Sequence, residues 1–166
     1  MKRLLNLMTL SVLILGAMLL LASFGTTAAH AATAISHPNT AKACVLDVRR
    51  RFALGMIETA NNDAEIGGLG EVSRYQIMPS VWRHYDDSRR YQDPDVSLAV
   101  AQQHWLALYT AFKKAAQREP SDFDMYVLWN TRHGYYSAKG FNPDRLNAVV
   151  RDRAQRFVNL VNREES

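Results

Sequence analysis

Residues 51–82 read RFALGMIETANNDAEIGGLGEVSRYQIMPSVW, and the order of the parts within this stretch decides the fold. Phe52 to Ile57 are consecutively apolar, which on a helix predicts protein on every side, and Glu58 follows at once. Asn61, Asn62, Asp63, Gly67, Gly68, Gly70 and Ser73 then form a dense cluster of helix breakers with no helical stripe. They predict a loop or a short irregular hairpin. Tyr75 to Met78 suit a brief strand, and Pro79 suits the first turn of a short helix carrying Val81, Trp82 and Tyr85.

Upstream, Val45, Val48, Phe52 and Met56 recur at helical spacing and predict an amphipathic helix from Cys44 to about Ala60. Downstream, Asp93 and Pro94 form a helix start, a capping carboxylate followed by proline at the first helical position. That helix is expected to run to about Arg118, with Val96, Val100, Leu106, Tyr109 and Phe112 marking one side and Pro120 stopping it. Ser121 and Asp124 resemble a capping box with Asp in place of Glu or Gln, and Phe123, Tyr126, Val127 and Asn130 then share a helical face. Gly134 is expected to break this helix, leaving Tyr135 to Phe141 as an aromatic loop. Asn142 with Pro143 opens the last helix, whose stripe is Leu146, Val149, Val150, Phe157, Leu160 and Val161. The expected fold class is mainly α, a helical domain with a small Gly-rich loop or short β excursion.

The chain has 166 residues and 48% hydrophobic composition, which suits one core of its own rather than two domains. Lys2 and Arg3 precede a nearly uncharged run from Leu4 to Leu21, and small residues at Ala29 and Ala31 follow. This is the order of a secretory signal peptide over residues 1–31, cut after Ala31. The competing reading is an uncleaved anchor, since the apolar run is just long enough to span a bilayer. Residues 32–42, with Ser36, Pro38, Asn39 and Thr40, read as a flexible leader, and residues 43–166 as the domain. The expected location is outside the inner membrane, periplasmic or secreted, with no stable membrane insertion after cleavage.

The single cysteine, Cys44, excludes an internal disulfide and reads as a small packed hydrophobe. The formal charge of +4 falls to +2 without Lys2 and Arg3, too little for a nucleic-acid partner. Arg49 to Arg51 read as a solvated helix face, with a basic patch as the alternative. His84, His104 and His133 match no ligand spacing, so no metal or cofactor is expected. No oligomer interface is evident in the pattern.

Glu58 is the sharpest feature. A carboxylate at the end of a buried helix beside a polar loop loses solvation, and its pKa is expected to rise. Such a group can stay protonated near neutrality, as a general acid must to protonate a leaving oxygen. The plain alternative is a surface carboxylate at a helix end. Glycan sites also need aromatic faces for sugar rings and amides for hydroxyl and acetamido groups. Tyr75, Gln76, Trp82, Trp129, Asn130 and Tyr135 supply both types in short segments, with Tyr136 beside them.

Three separated motifs make the chain resemble the lysozyme-like superfamily, specifically the soluble lytic transglycosylase domain and the related goose-type lysozymes. MIETANND (56–63) is similar to the Glu-Ser segment bearing the family's catalytic acid. SRYQIMPSVW (73–82) is similar to its Gly-Leu-Met-Gln-Ile segment, and MYVLWNTRHG (125–134) to its Ala-Tyr-Asn-Ala-Gly segment. DPDVSLAVAQQHW (93–105) resembles the helix under the site, and the likeness spans about residues 44–162.

By this resemblance the fold is lysozyme-like, Glu58 is the catalytic acid and base, Gln76 lines the site, and Asn130 binds near the cleavage point. Thr59, Tyr75, Trp129 and Tyr135 join them as substrate-binding candidates. The chain departs from the pattern at Thr59 for Ser, at Ser73 to Tyr75 for Gly-Leu-Met, and at Trp129 for Tyr. Thr131, Arg132 and His133 stand where the family has small residues, and Arg132 and His133 are expected to narrow the cleft.

The implied partner is the peptidoglycan glycan strand, cut between N-acetylmuramic acid and N-acetylglucosamine. Attack by the muramoyl C6 hydroxyl gives a 1,6-anhydro product, the lytic transglycosylase outcome. Attack by water gives a lysozyme, which by inversion requires a second carboxylate about 6.5 to 9.5 Å from the first. Asp63, Glu65 and Glu71 are the candidates for that role. The reading from another class is a catalytically weak glycan-binding or secretion-associated protein that keeps the fold.

Overall fold

The four longer helices each begin where a short polar side chain takes over the first free backbone N–H groups. In the computed structural model, which describes residues 43–163, Asp47 accepts from Arg50 N at 3.0 Å and opens α1, Val48–Thr59. Pro79 opens the short α2, Pro79–Trp82. Asp93 accepts from the backbone N–H groups of Asp95 and Val96 and opens α3, Pro94–Ala116, with Pro94 in its first turn. Ser121 and Asp124 form the reciprocal capping box of α4, Asp122–Asn130. The short α5, His133–Ala138, follows, and Asn147 caps α6, Ala148–Val161. The mainly α class expected from the pattern is what the chain adopts. The signal peptide and leader expected over residues 1–42 lie outside the described residues. Among the described residues no helix is long and apolar enough to cross a membrane.

The core forms around α4, which packs on α3, α5 and α6, while α1 packs on α6. Asp124 to Leu128 are all buried, so α4 has no solvent face along its middle and no amphipathic stripe. An aromatic chain runs through this core: Tyr126 stacks on Phe157 with centroids 5.2 Å apart, Phe157 meets Trp105 at 6.1 Å, and Trp105 meets Trp129 at 6.1 Å. Trp105 also donates Nε1–H to the carbonyl of Ala43 at 2.9 Å, which fixes the segment entering α1.

Several boundaries and faces differ from the sequence reading. The first helix starts at Val48 rather than Cys44, because Asp47 caps it; Cys44 is half-buried and free. The stripe Val45, Val48, Phe52 and Met56 is the exposed side of this segment, and Phe52 is 56% exposed. The buried side holds Leu46, Ala53 and Leu54 together with Arg50, which is 1% exposed. The middle of the Arg49–Arg51 run is therefore a core residue: Arg50 Nε donates to Asp122 at 2.6 Å and Nη1 to Asp47 at 2.9 Å. Pairing lets a charge turn inward, and the helix rotates accordingly.

Leu106 and Val149, expected on apolar stripes, are exposed, and α3 stops at Ala116, before Pro120. Gly134 lies inside α5, so Tyr135 and Tyr136 are helical rather than part of an aromatic loop; the break falls at Thr131 and Arg132. Asn142 and Pro143 start only a 3-10 turn, Pro143–Arg145, and the last helix begins five residues after Asn142, at its own cap Asn147.

The Gly-rich excursion is a loop with two isolated antiparallel bridges, Ile66 to Val72 and Val72 to Ile77. The strand expected over Tyr75 to Met78 reduces to the Ile77 pairing, because Ser73 and Gln76 take positive φ values of 65° and 51° and turn the chain. Thr59 Oγ1 donates to the carbonyl of Arg74 at 3.0 Å, and Arg74 pairs with Asp63. These contacts hold the excursion against the end of α1, where Glu58 sits.

Candidate active site

Glu58 occupies the last turn of α1, and only 8% of its side chain is exposed. Two groups from other helices hold it. Tyr126 of α4 donates its hydroxyl proton to Oε1 at 2.7 Å, and Arg153 of α6 donates Nη2–H to Oε2 at 3.1 Å. Arg153 Nε also donates to the Tyr126 oxygen at 3.1 Å, so the three side chains close a ring.

Burial raises the Glu58 pKa above the ordinary carboxylate value and outweighs the lowering by the Tyr126 hydrogen bond and the Arg153 charge; the negative charge of Glu71 adds to the rise. Burial, reinforced by the Glu58 charge, raises the Tyr126 phenol. Tyr126 therefore remains a hydrogen-bond donor to the carboxylate across the neutral range. Arg153 offers positive charge whenever Glu58 is ionised.

A groove of about 670 Å³ runs between the excursion, α3, α4 and the turn into α5. The excursion contributes Glu71 and Gln76, α3 contributes His104, and α4 contributes Trp129 and Asn130; Tyr135 lies on the α5 side. Glu58 is not part of this lining. Glu71 is the lining residue whose charge acts on it. Gly67 supports the excursion wall, because a Cβ there would collide with Gln76 Oε1 and Glu71 Oε2. Both polar groups reach their positions only over a residue without a side chain.

His104 sets the groove's hydrogen-bonding character. Burial, with a smaller effect from the charge of His84, lowers its pKa to about 4. The ring is neutral near pH 7, with Nδ1 and the Tyr85 hydroxyl 3.2 Å apart and its face tilted toward Trp129 at 5.1 Å. Trp129 is fixed in turn by donating Nε1–H to the Tyr75 carbonyl at 3.1 Å. The wall thus offers an indole, a phenol and three neutral polar groups, a surface able to stack on rings and bond to hydroxyls.

The residues expected at the site divide into two sets. Gln76, Trp129, Asn130, Tyr135 and Glu71 line the groove together. Thr59 and Tyr75 do not. Thr59 spends its hydroxyl on the backbone of Gly55, Arg74 and Asn62, and Tyr75 is 3% exposed in the core. Both were expected to bind substrate, and both are instead supports of the wall. Of the carboxylate candidates, Asp63 is taken by Arg74, and Glu65 accepts from Asn62 and faces a separate depression beside Arg89 and Tyr91. Only Glu71 faces the groove, with Oε2 accepting the Leu69 N–H at 2.9 Å.

The sequence reading missed the partners of Glu58. The pattern marks Tyr126 only as a face residue of α4 and does not single out Arg153. A signal for Arg153 exists: it lies three residues after Val150 and four before Phe157, a charge set beside a buried stripe. Among the described residues no group of three or more His, Cys, Asp or Glu side chains is placed to hold a metal ion.

Comparison of the chain with family models, with curated proteins and with solved structures finds no match.

Proposed function

We propose that the protein is an exported, lysozyme-like lytic transglycosylase that cleaves peptidoglycan glycan strands between N-acetylmuramic acid and N-acetylglucosamine. The observation that carries the reading is the desolvated Glu58 carboxyl, held by Tyr126 and Arg153 and within reach of the charge of Glu71, a wall residue of a groove lined with aromatic and amide side chains. Its raised pKa suits a general acid.

In the reaction Glu58 gives its proton to the glycosidic oxygen as the bond from that oxygen to the muramoyl C1 breaks. The Glu58 carboxylate then takes the proton of the muramoyl C6 hydroxyl as O6 bonds to C1. The 1,6-anhydro ring closes, and Glu58 is protonated again without water. Tyr126 and Arg153 stabilise the carboxylate between the two transfers. One acid suffices for this sequence.

Glu71 favours a second reading, hydrolysis, because it is the one candidate carboxylate in the groove wall and would serve to activate a water. Mass spectrometry of purified sacculi after incubation with the protein and with its Glu58→Gln variant tests both. Anhydromuramoyl ends made only by the unaltered protein support the proposal. Reducing ends lost in Glu71→Gln support hydrolysis. Unchanged lysis by Glu58→Gln refutes the assignment of the acid, and no products from any form favour a glycan-binding or secretion-associated role.

A further inference from the structure

The turn between α4 and α5 brings to the groove a charge that none of the described residues pairs with. Arg132 is exposed, lines the groove, and its guanidinium has no hydrogen-bond or ion-pair partner among the described residues. The other arginines of the site region are engaged: Arg74 with Asp63 and Arg153 with Glu58. Next to it His133, also in the groove lining, has an enclosed Nε2 that is the only buried side-chain nitrogen or oxygen without a partner among the described residues. Its ring is held edge-on against Phe141 at 5.7 Å. Enclosed polar atoms are nearly always partnered in folded proteins, so the side chain of His133, a residue of the groove lining, keeps a hydrogen-bonding capacity that the described residues leave unfilled.

We infer that Arg132 and His133 form a subsite for a carboxylate of the glycan substrate. The inference rests on the proposed glycan reading and adds to it which substrate class the groove prefers. A planar guanidinium free of internal partners matches a carboxylate with two parallel hydrogen bonds. The remaining groove polar groups, Gln76, Asn130 and neutral His104, carry no positive charge to compete for it, and Glu71 repels an anion from its own part of the wall. A neutral N-acetylglucosamine polymer has no group for this subsite. A strand with muramic acid does, either through the lactyl carboxylate where the peptide stem is absent or through a carboxylate of the stem where it is present.

Binding measured by calorimetry separates these cases. The probes are a neutral chitooligosaccharide, an oligosaccharide of the same length with free lactyl carboxylates, and the same oligosaccharide carrying peptide stems. The Glu58→Gln variant serves as host, so that nothing is cleaved. At least one acidic probe is expected to bind about tenfold more tightly than the neutral one, the scale of one charge-assisted pair. Arg132→Gln is expected to erase that preference while leaving the neutral probe's affinity unchanged, and His133→Phe to reduce it. Preference for the lactyl probe alone assigns the subsite to stem-free strands, and preference for the stem-bearing probe alone assigns it to the peptide. Equal binding of all three probes, or a preference that survives Arg132→Gln, overturns the subsite and leaves the glycan reading standing. Binding of none overturns both.

Discussion

Asp124 holds the start of α4, the helix that carries Tyr126, Trp129 and Asn130, and its replacement by Asn tests how the site is supported. The carboxylate is 3% exposed and accepts five hydrogen bonds. Oδ2 takes Ser121 N at 2.9 Å, Ser121 Oγ at 2.7 Å and Arg118 Nη1 at 2.7 Å; Oδ1 takes Arg118 Nη2 at 2.9 Å and the buried Tyr136 hydroxyl at 2.7 Å. Asn keeps the shape but turns one acceptor into a donor. With its oxygen toward Ser121, the Tyr136 hydroxyl can rotate to accept, yet Arg118 Nη2 then faces an NH₂ group.

One bond is lost and the others drop from charge-assisted to neutral strength, for a total of about 3 kcal/mol. The charged partner Arg118 is 45% exposed, so solvent already weakens its share and the figure stays at the low end for a broken buried pair. With a urea slope of about 1.5 kcal/mol/M, the unfolding midpoint falls by about 2 M. Burial alone would raise the Asp124 pKa, but hydrogen bonds from Arg118, Tyr136 and Ser121 prevail and hold it below the usual carboxylate range. Its contribution is therefore complete above the unfolded value of about 3.9 and lost as pH falls through the lower folded value. Urea melts of both forms between about pH 7 and pH 2 are expected to show a constant gap down to about pH 5 that closes below about pH 4. A loss under about 1 kcal/mol at neutral pH, or a gap unchanged at the acid end, would refute the account of this hub.

Two further outcomes follow from the charges around the groove. Arg153→Gln removes the cation that lowers the Glu58 pKa, so the pH above which lysis falls off is expected to move upward; a profile that stays in place or moves down contradicts the ring of Glu58, Tyr126 and Arg153. His104 titrates at about 4 in the folded chain against an ordinary value of 6.5, so its neutral ring contributes stability above pH 6.5 that is lost as pH falls through 4, up to about 3 kcal/mol in all. An NMR titration of the ring with a midpoint near 6.5 rules this out.

The signals legible in the sequence are local ones. Proline after a short acceptor at 93–94, the Ser121–Asp124 pair and the glycine cluster of 67–70 act within one helical turn or one loop, and they gave the helix starts and the excursion correctly. Faces and ends depend on distant partners. The stripe Val45, Val48, Phe52 and Met56 has helical spacing yet points outward, because the pairing of Arg50 with Asp122, 72 residues away, turns the opposite side of α1 into the core. After α4, Gly134 has the right chemistry for a break, but Thr131 and Arg132 make it, leaving Tyr135 and Tyr136 helical.

The sequence by itself determined the mainly α class, the position of Glu58 at the end of a helix, and the clustering of Trp129, Asn130 and Tyr135 in one short segment. Caps, breakers and helical period are properties of adjacent residues and require no knowledge of the rest of the chain. Only the tertiary structure decided which candidates face the groove and what holds the acid. Thr59 and Tyr75 went to the support of the wall, Glu71 alone among the loop carboxylates went into it, and Tyr126 and Arg153 arrived at Glu58 from 68 and 95 residues away. Such encounters depend on how helices rotate and pack as their buried charges find partners. Desolvation and hydrogen bonding, which set the acid's proton affinity, exist only once that packing is complete.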